Sequence, residues 1–375
     1  MLSSTQGQEV LQWNFNGTLD AVSGEETSVT SDEVAALIKF GTTESFEISP
    51  INGASAEVVY LPGFPEFDGF WIRMPDVVNG VIVDDIEPSN LNDYTIIIDV
   101  LFPEESNGKF RPILDTTTSL EGPEFNVTTG NQIGVSTVAA GGNVPANSWH
   151  RLAWSANSAS ASVQMFIDGE HVGGYDVDPL QIPDGVASIT PGGTSGVFLS
   201  EAGPSFGGYI ASLQIRAEAL SAPQIRELGG AEAEGIPTEL PPVPSYVENF
   251  IPAKNVATDE TEVGVVINSG TAEIDENSIL LKINDTDVEF EIDTDGTILE
   301  IIADDFDLAV GDKVKIQVSY TDSIKGEVTL DHMFDVAIYA EDFEDVILGS
   351  NVDESLVGEE VWSENGPTGW SVEDD

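Results

Sequence analysis

From Leu11 to Ile338, apolar residues recur at every second position in short runs broken by Gly, Pro, Asn and Asp. That period suits a pleated strand, whose side chains alternate between two faces, and not a helix, whose apolar stripe returns every three or four residues. In the first half the clearest runs are Tyr94–Leu101 (YTIIIDVL), Trp149–Ser155 (WHRLAWS), Ser162–Ile167 (SVQMFI), Gly196–Leu199 and Tyr209–Ile215 (YIASLQI). In WHRLAWS the alternation sets Trp149, Arg151, Ala153 and Ser155 on one face, and His150, Leu152 and Trp154 on the other. One helix is predicted, Ser221–Leu228, with Ser221 as N-cap, Pro223 in the first turn and Gly229-Gly230 as the stop. Many short strands with regular turns and one helix make an all-β fold, a sandwich or a barrel.

A chain of 375 residues is long enough for two or three domains of about 100–200 residues each. Residues 237–245 are rich in proline (Pro237, Pro241, Pro242, Pro244), which stiffens them towards an extended spacer. We therefore place one domain at 1–236, a linker at 237–245 and a second domain at 246–340. In the second domain the strands recur about every ten residues: Tyr246–Pro252, Glu262–Asn268, Ser278–Asn284, Asp287–Ile292, Ile298–Ile302, Lys313–Tyr320 and Leu330–Ile338. That rhythm predicts an immunoglobulin-like β-sandwich, without a disulfide because the chain has no Cys. Residues 341–375 are too few to fold alone, and are read as a tail or the start of a truncated β module.

Charge removes whole classes of function. Asp and Glu number 67 against 12 Lys and Arg, a net charge of −55. Such a surface repels phosphates, which excludes nucleic-acid binding and polybasic attachment to anionic membranes. Residues 238–375 hold 35 of the acids and 5 of the bases, so the C-terminal part is the denser polyanion. Hydrophobic residues still make up 41%, with 17 Phe and 6 Trp, enough for a core and against the low-hydrophobicity signature of disorder. Salt or calcium in the surroundings would screen the self-repulsion. With no Cys and only His150, His171 and His332, thiol chemistry is excluded and a His-dependent triad or His-rich metal site has almost no material. No apolar run is long enough to insert in a membrane. The opening MLSSTQGQEV lacks the basic and apolar regions of a signal peptide, so the protein is expected to be either cytosolic or a segment whose leader lies outside this sequence.

Three segments carry a family resemblance. Asn147–Trp154 (NSWHRLAW) is followed by Val163–Val172 (VQMFIDGEHV), and later by Gly208–Ser221 (GYIASLQIRAEALS). Together, and with Leu11–Leu19 as a first strand, they resemble the laminin-G-like, concanavalin A-like jelly roll over residues 9–236. The arrangement as a whole is similar to large secreted or surface proteins of environmental bacteria, in which such a domain precedes Ig-like modules. Glu341–Glu344, Val361-Trp362 and Gly366–Trp370 resemble the opening of a further β module. The resemblance implies an extracellular or cell-surface segment of a longer protein, with a polysaccharide or a cell-surface protein as partner and the Ig-like module as spacer.

Candidate site residues follow from chemistry. Asp168-Gly169 between apolar strands fits a type I′ hairpin turn, which needs positive φ. Trp149 and Trp154 are expected in the jelly-roll core. Trp71 is the candidate ligand-binding residue, since an aromatic face stacks on sugars, with core packing as its plain alternative. A glycosidase needs two facing carboxylates. The related enzymes' E-x-D-x-x-E run is absent, and Asp99 stands alone on its strand, so no catalytic residue is assigned and a glycan hydrolase or lyase is the least favoured reading. Calcium is the better use of oxygen ligands without His or Cys. The loops Asp115–Glu124 (DTTTSLEGPE) and Ser200–Ser205 (SEAGPS) nominate Asp115, Glu121, Glu124 and Glu201 as its ligands. Asp293–Gly296 begins like an EF-hand loop, but Gly comes too early, and a hairpin turn is predicted. Asp304, Asp305 and Asp307 form a second acidic turn. Besides recognition, a self-associating subunit of a surface layer or fibre, bridged by calcium, is a second reading.

Overall fold

The computed structural model describes residues 10–22, 28–29, 32–64, 70–73, 77–78, 81–82, 93–115, 124–135, 138–157, 160, 162–176, 194–197, 206–253, 256–257, 262–303, 306 and 308–337. The acidic turn at Asp304, Asp305 and Asp307 and the stretch 341–375 lie outside them. The chain divides into two compact units, Met1–Val243 and Pro244–Asp375, so the division falls inside the proline-rich segment.

The first unit holds two antiparallel sheets. One has eight strands: Glu170–Asp176, Ser162–Ile167, Trp149–Asn157, Tyr94–Leu101, Gly208–Arg216, Glu57–Leu61 and Lys39–Thr42 in spatial order, with Val10–Trp13 also paired to Gly208–Arg216. The other has seven: Val138–Gly141, Ile133–Val135, Glu124–Val127, Arg111–Asp115, Thr194–Val197, Phe70–Arg73 and Ser28–Val29. The core between them takes Ile96, Ile98 and Val100 from one strand and Leu152, Trp154 and Ala156 from its neighbour, meeting Ile113, Phe125 and Val127. The indole of Trp154 packs on Phe125 at 5.4 Å between ring centroids, and its N–H donates to the carbonyl of Gly134, tying one sheet to the other.

The alternation in Trp149–Ser155 is as predicted, and it corrects one expectation. Trp149 and Trp154 are five positions apart, an odd number, so they cannot share a face of a regular strand. Trp154 fills the core, whereas Trp149 lies on the outer face beside Ile51, Ala56, Val58 and Ala211, donating its indole N–H to the carbonyl of Ser49. The strand expected at Gly196–Leu199 runs instead over Thr194–Val197.

Tyr94–Leu101 is buried at all eight positions, because the outer face of its sheet is also covered. The helix Ala222–Leu228 forms at the predicted place, with the backbone N–H and hydroxyl of Ser221 both donating to Gln224. Its Ile225 and Leu228, with Leu220 and Ile236, cover Ile97, Ala153 and Phe166. A row of polar side chains fastens this cover to the sheet. Thr95 donates to the carbonyl of Glu218, Ser155 to that of Leu220, Gln214 to that of Pro237 and Arg216 to that of Thr238. The first residues of the expected linker are thus anchored on the first unit.

At the centre of that row Asp99, fully buried, forms a bidentate pair with Arg151 at 2.7 and 2.9 Å. Arg151 also donates to the carbonyls of Leu228 (2.6 Å) and Gly235 (3.2 Å), the end of the helix and the turn beyond it. The lone acid of this strand is therefore buried and paired inside the protein. Burial pushes Asp99 up to about 6 against the opposing hydrogen bonds and charge of Arg151, with the charges of Asp168 and Glu232 adding to the rise. It remains a carboxylate at neutral pH.

The second unit is a two-sheet β-sandwich. Tyr246–Ile251, Gly264–Asn268, Ile298–Ala303 and Phe290–Asp295 form a four-stranded sheet. Val256–Ala257, Gly326–Val336, Lys313–Asp322, Ile274–Ile283 and Thr286–Asp287 form a five-stranded one. Val265, Ile267, Leu281, Ile301, Ile316, Val318 and Phe334 pack between them. The expected strand Asp287–Ile292 is broken, its ends going to different sheets, and Gly296, at φ 63°, makes the predicted hairpin turn. A second acid is buried here: Asp322 accepts from the N–H and hydroxyl of Ser245 and from the N–H groups of Ile324 and Lys325.

Two predictions follow from these buried acids. Asp99→Ala leaves Arg151 charged and unpaired, which costs about 3–5 kcal/mol. The melting temperature of the first unit falls by about 2–4 °C per kcal/mol, and Asp99→Leu combined with Arg151→Met recovers part of the loss. For Asp322, burial alone would raise the carboxyl, but its hydrogen bonds from Ser245, Lys325 and Ile324 outweigh that and hold it below its ordinary value of 3.8. A lowered acid contributes stability that is present above the unfolded value and lost as pH falls through the folded one. Denaturant melts of the protein and of Asp322→Asn therefore differ most at neutral pH and converge below about pH 4.

Candidate functional site

Cross-strand register builds the site. Along Phe70–Arg73, Ile72 is fully buried in the core, so its neighbour Trp71 belongs to the outer face of the seven-stranded sheet, where it is half-buried. Trp71 pairs with Ser28 on one side and Gly196 on the other. Gly196 pairs with Asp115, and Asp115 with Glu124. Ser28, Trp71, Gly196, Asp115 and Glu124 therefore form one continuous row across five strands. The adjacent row, Phe70–Val197–Leu114–Phe125, turns its buried Val197, Leu114 and Phe125 to the core.

Three of the five residues nominated from the sequence thus share a single row. At about 4.8 Å per strand, Asp115 stands two strands and Glu124 three strands from Trp71. Gly196, between Trp71 and Asp115, places no side chain in the row. Asp115 and Glu124 are the last and first residues of paired strands, not loop residues as the sequence suggested. Like charges directly opposite on neighbouring strands are unfavourable. Glu121 and Glu201 lie outside the described residues, and among the described residues no group of three or more His, Asp or Glu converges.

A second constellation was missed in the sequence. The Nδ1 of His150 lies 2.8 Å from Asp168 and its Nε2 2.9 Å from the hydroxyl of Ser148. The other oxygen of Asp168 accepts the backbone N–H of Arg151 at 2.8 Å, and the Ser148 hydroxyl donates to the carbonyl of Pro145. Asp168 and Gly169 have φ of 53° and 86°, the conformation that a type I′ turn requires. Asp168 therefore pins its hairpin turn to the start of the neighbouring strand, with His150 as the clamp. Only the register of Leu152 opposite Ile167 brings these groups together, and that register is not written in either segment. A signal for Asp99 did exist: a lone acid within YTIIIDVL requires a buried cation.

Residues 86–226 match the family model of the concanavalin A-like lectin/glucanases superfamily. The first unit has the concanavalin A-like jelly-roll fold. No curated protein matches the chain. Among solved structures it is similar to domain 4 of AbnA, an extracellular arabinanase from Geobacillus stearothermophilus, solved with arabinotriose. There the identity is 16% and the TM-score 0.40, over 59% of this chain and 98% of that one. It is also similar to the CBM40 of the Ruminococcus gnavus IT-sialidase, at 17% identity and TM-score 0.29, over 37% of this chain and 84% of that one. The receptor-binding domain of botulinum neurotoxin type G aligns at 12% identity and TM-score 0.37, over 82% of this chain and 71% of that one.

The clamp is open to test. Asp168→Ala removes two hydrogen-bond acceptors and a residue tolerant of positive φ, and lowers stability by about 1–3 kcal/mol in denaturant melts. Asp168→Asn, which keeps an oxygen for the Arg151 N–H, loses less.

Proposed function

We propose that the chain is a non-catalytic recognition segment of an extracellular or cell-surface protein, and that its jelly roll binds carbohydrate on the outer face of the seven-stranded sheet. The observation that carries this reading is the row Trp71–Gly196–Asp115–Glu124. An indole on an outer face offers a stacking surface for a sugar ring, the glycine beside it leaves room, and acidic residues further along accept hydrogen bonds from sugar hydroxyls. The second unit, with two packed sheets in about a hundred residues, acts as an Ig-like spacer.

Calcium fits the same row. Asp115 and Glu124 supply hard oxygen donors at opposed positions, and a divalent cation there offsets their repulsion. Glu121, in the connection between them, and Glu201 complete the ligand set in this reading. When bound, the ion would neutralise the row and present open coordination positions to a ligand's hydroxyls.

Titration of tryptophan fluorescence against a panel of neutral and acidic oligosaccharides, with calcium or with chelator, tests both statements. Trp71→Ala is expected to weaken binding about tenfold, equivalent to 1.4 kcal/mol. Calcium is expected to raise the melting temperature of the protein but not that of Asp115→Asn/Glu124→Gln. Chelation with no effect on either binding or melting overturns the calcium assignment. Release of reducing ends from a bound glycan overturns the non-catalytic reading.

A further inference from the structure

Among the described residues of the first unit three arginines are buried, and two of them meet a carboxylate. Arg151 pairs with Asp99, and Arg216 with Glu218 at 2.8 Å. Arg111, at the start of its strand, is fully buried and pairs with none among the described residues. It stands opposite Val127, a core residue, so its side chain turns inward with that neighbour. The ring of Phe102 covers one face of the guanidinium, whose carbon lies 4.8 Å from the ring centroid. A single nitrogen, Nη2, serves both protein acceptors, the side-chain oxygen of Asn131 at 2.6 Å and the carbonyl of Val144 at 3.1 Å. Both acceptors are neutral. Nε and Nη1 are buried and meet no acceptor among the described residues. Burial lowers the guanidinium to about 10, which leaves it a cation at neutral pH.

The surroundings do not supply the missing charge. Glu104, in the connection leading to Arg111, accepts instead from the side-chain amide of Asn147. Lys109, exposed two residues before Arg111, has its Nζ 4.7 Å from the centre of the Phe206 ring and forms no ion pair among the described residues. Two cations without a carboxylate thus stand side by side in a chain that has 67 acids. Asn131 also accepts the N–H of Gly108, donates its amide to Asn107, and takes the N–H of Val144 on its carbonyl. The connections 102–110, 128–132 and 142–148 therefore meet around the guanidinium.

We propose that Arg111 holds a small monovalent anion, of halide size, against its free N–H groups. Charge distinguishes an anion from a water molecule here. Water would satisfy the free N–H groups but leave the positive charge uncompensated in a region of low dielectric, which is strongly unfavourable. An anion answers both needs through charge-assisted hydrogen bonds, which are stronger than neutral ones. Burial limits its size. Arg111 has no exposed surface, which excludes a glycan or a peptide carboxylate as the occupant. Entry requires the three connections to part, so the ion belongs to the folded unit and is not a surface counter-ion. The inference does not rest on the glycan row, and either can fail without the other.

Melting curves of the full chain at constant ionic strength test it, with chloride replacing isethionate, an anion too large to be enclosed. Holding ionic strength fixed removes the screening that salt exerts on a chain of net charge −55. The melting temperature of the first unit is expected to rise by about 3–5 °C for each tenfold increase in chloride above its dissociation constant, and bromide is expected to act likewise. Arg111→Met, similar in length but uncharged, is expected to lose the halide dependence. Crystals grown in bromide are expected to show an anomalous peak within hydrogen-bonding distance of Nε or Nη1. That measurement uses the unaltered protein, so it decides the matter even if Arg111→Met does not fold. A melting temperature indifferent to halide, a folded Arg111→Met that keeps the full halide dependence, or no anomalous peak at Arg111 would each overturn the proposal. A bromide peak there without any halide effect on melting would mark an adventitious ion only, and would overturn it as well.

Discussion

The Asp99–Arg151 pair holds the cover on the eight-stranded sheet. A buried ion pair contributes little net stability by itself, since desolvation cancels most of the attraction. Its effect here comes from position. The guanidinium has donors left over, and they reach the carbonyls of Leu228 and Gly235, where the helix has run out of its own donors. The helix is seven residues long, far below the length at which an isolated helix holds in water. It persists because its apolar face sits on Ile97, Ala153 and Phe166 and its end is bonded to a side chain rooted in the sheet.

The eight-stranded sheet spends its outer face on the helix, the segment beyond it and the loop carrying Ile51 and Ala56. On the seven-stranded sheet Trp71 of the outer row is half-buried, whereas Asn126, turned outward between core-facing Phe125 and Val127, is fully buried. Its outer row, with Trp71 half-buried, is where an aromatic ring and acidic positions coincide. The row is supplied by strands instead of loops, and its spacing is set by the fixed distance between strands.

Much of this was legible in the chain, and the failures have a common cause. Local rules located the strand Tyr94–Leu101, the helix after Ser221 and the turn at Asp168-Gly169, since each depends on residues within a few positions. What local rules cannot give is which strand lies beside which. Trp71, Gly196 and Asp115 come from segments more than forty residues apart, and only their register makes them a row. Asp115 and Glu124 were nominated as members of a loop, whereas they end and begin paired strands. Trp149 was misplaced although its own alternation with Trp154 already assigned them to opposite faces.

Buried acid and surface acid have separate roles. Asp99 and Asp322 are each matched by dedicated donors, a guanidinium in one unit and four N–H or O–H groups in the other, so neither is free to serve an external ligand. Most other described acids lie at the surface, where they oppose compaction and are tolerated only because water and salt screen them. A surface that resists its own neighbours gains specificity from that resistance, because contact is then confined to the few places where cations or divalent ions intervene. In the calcium reading proposed above, the row beside Trp71, with Asp115 opposite Glu124 on regular strands, is such a place.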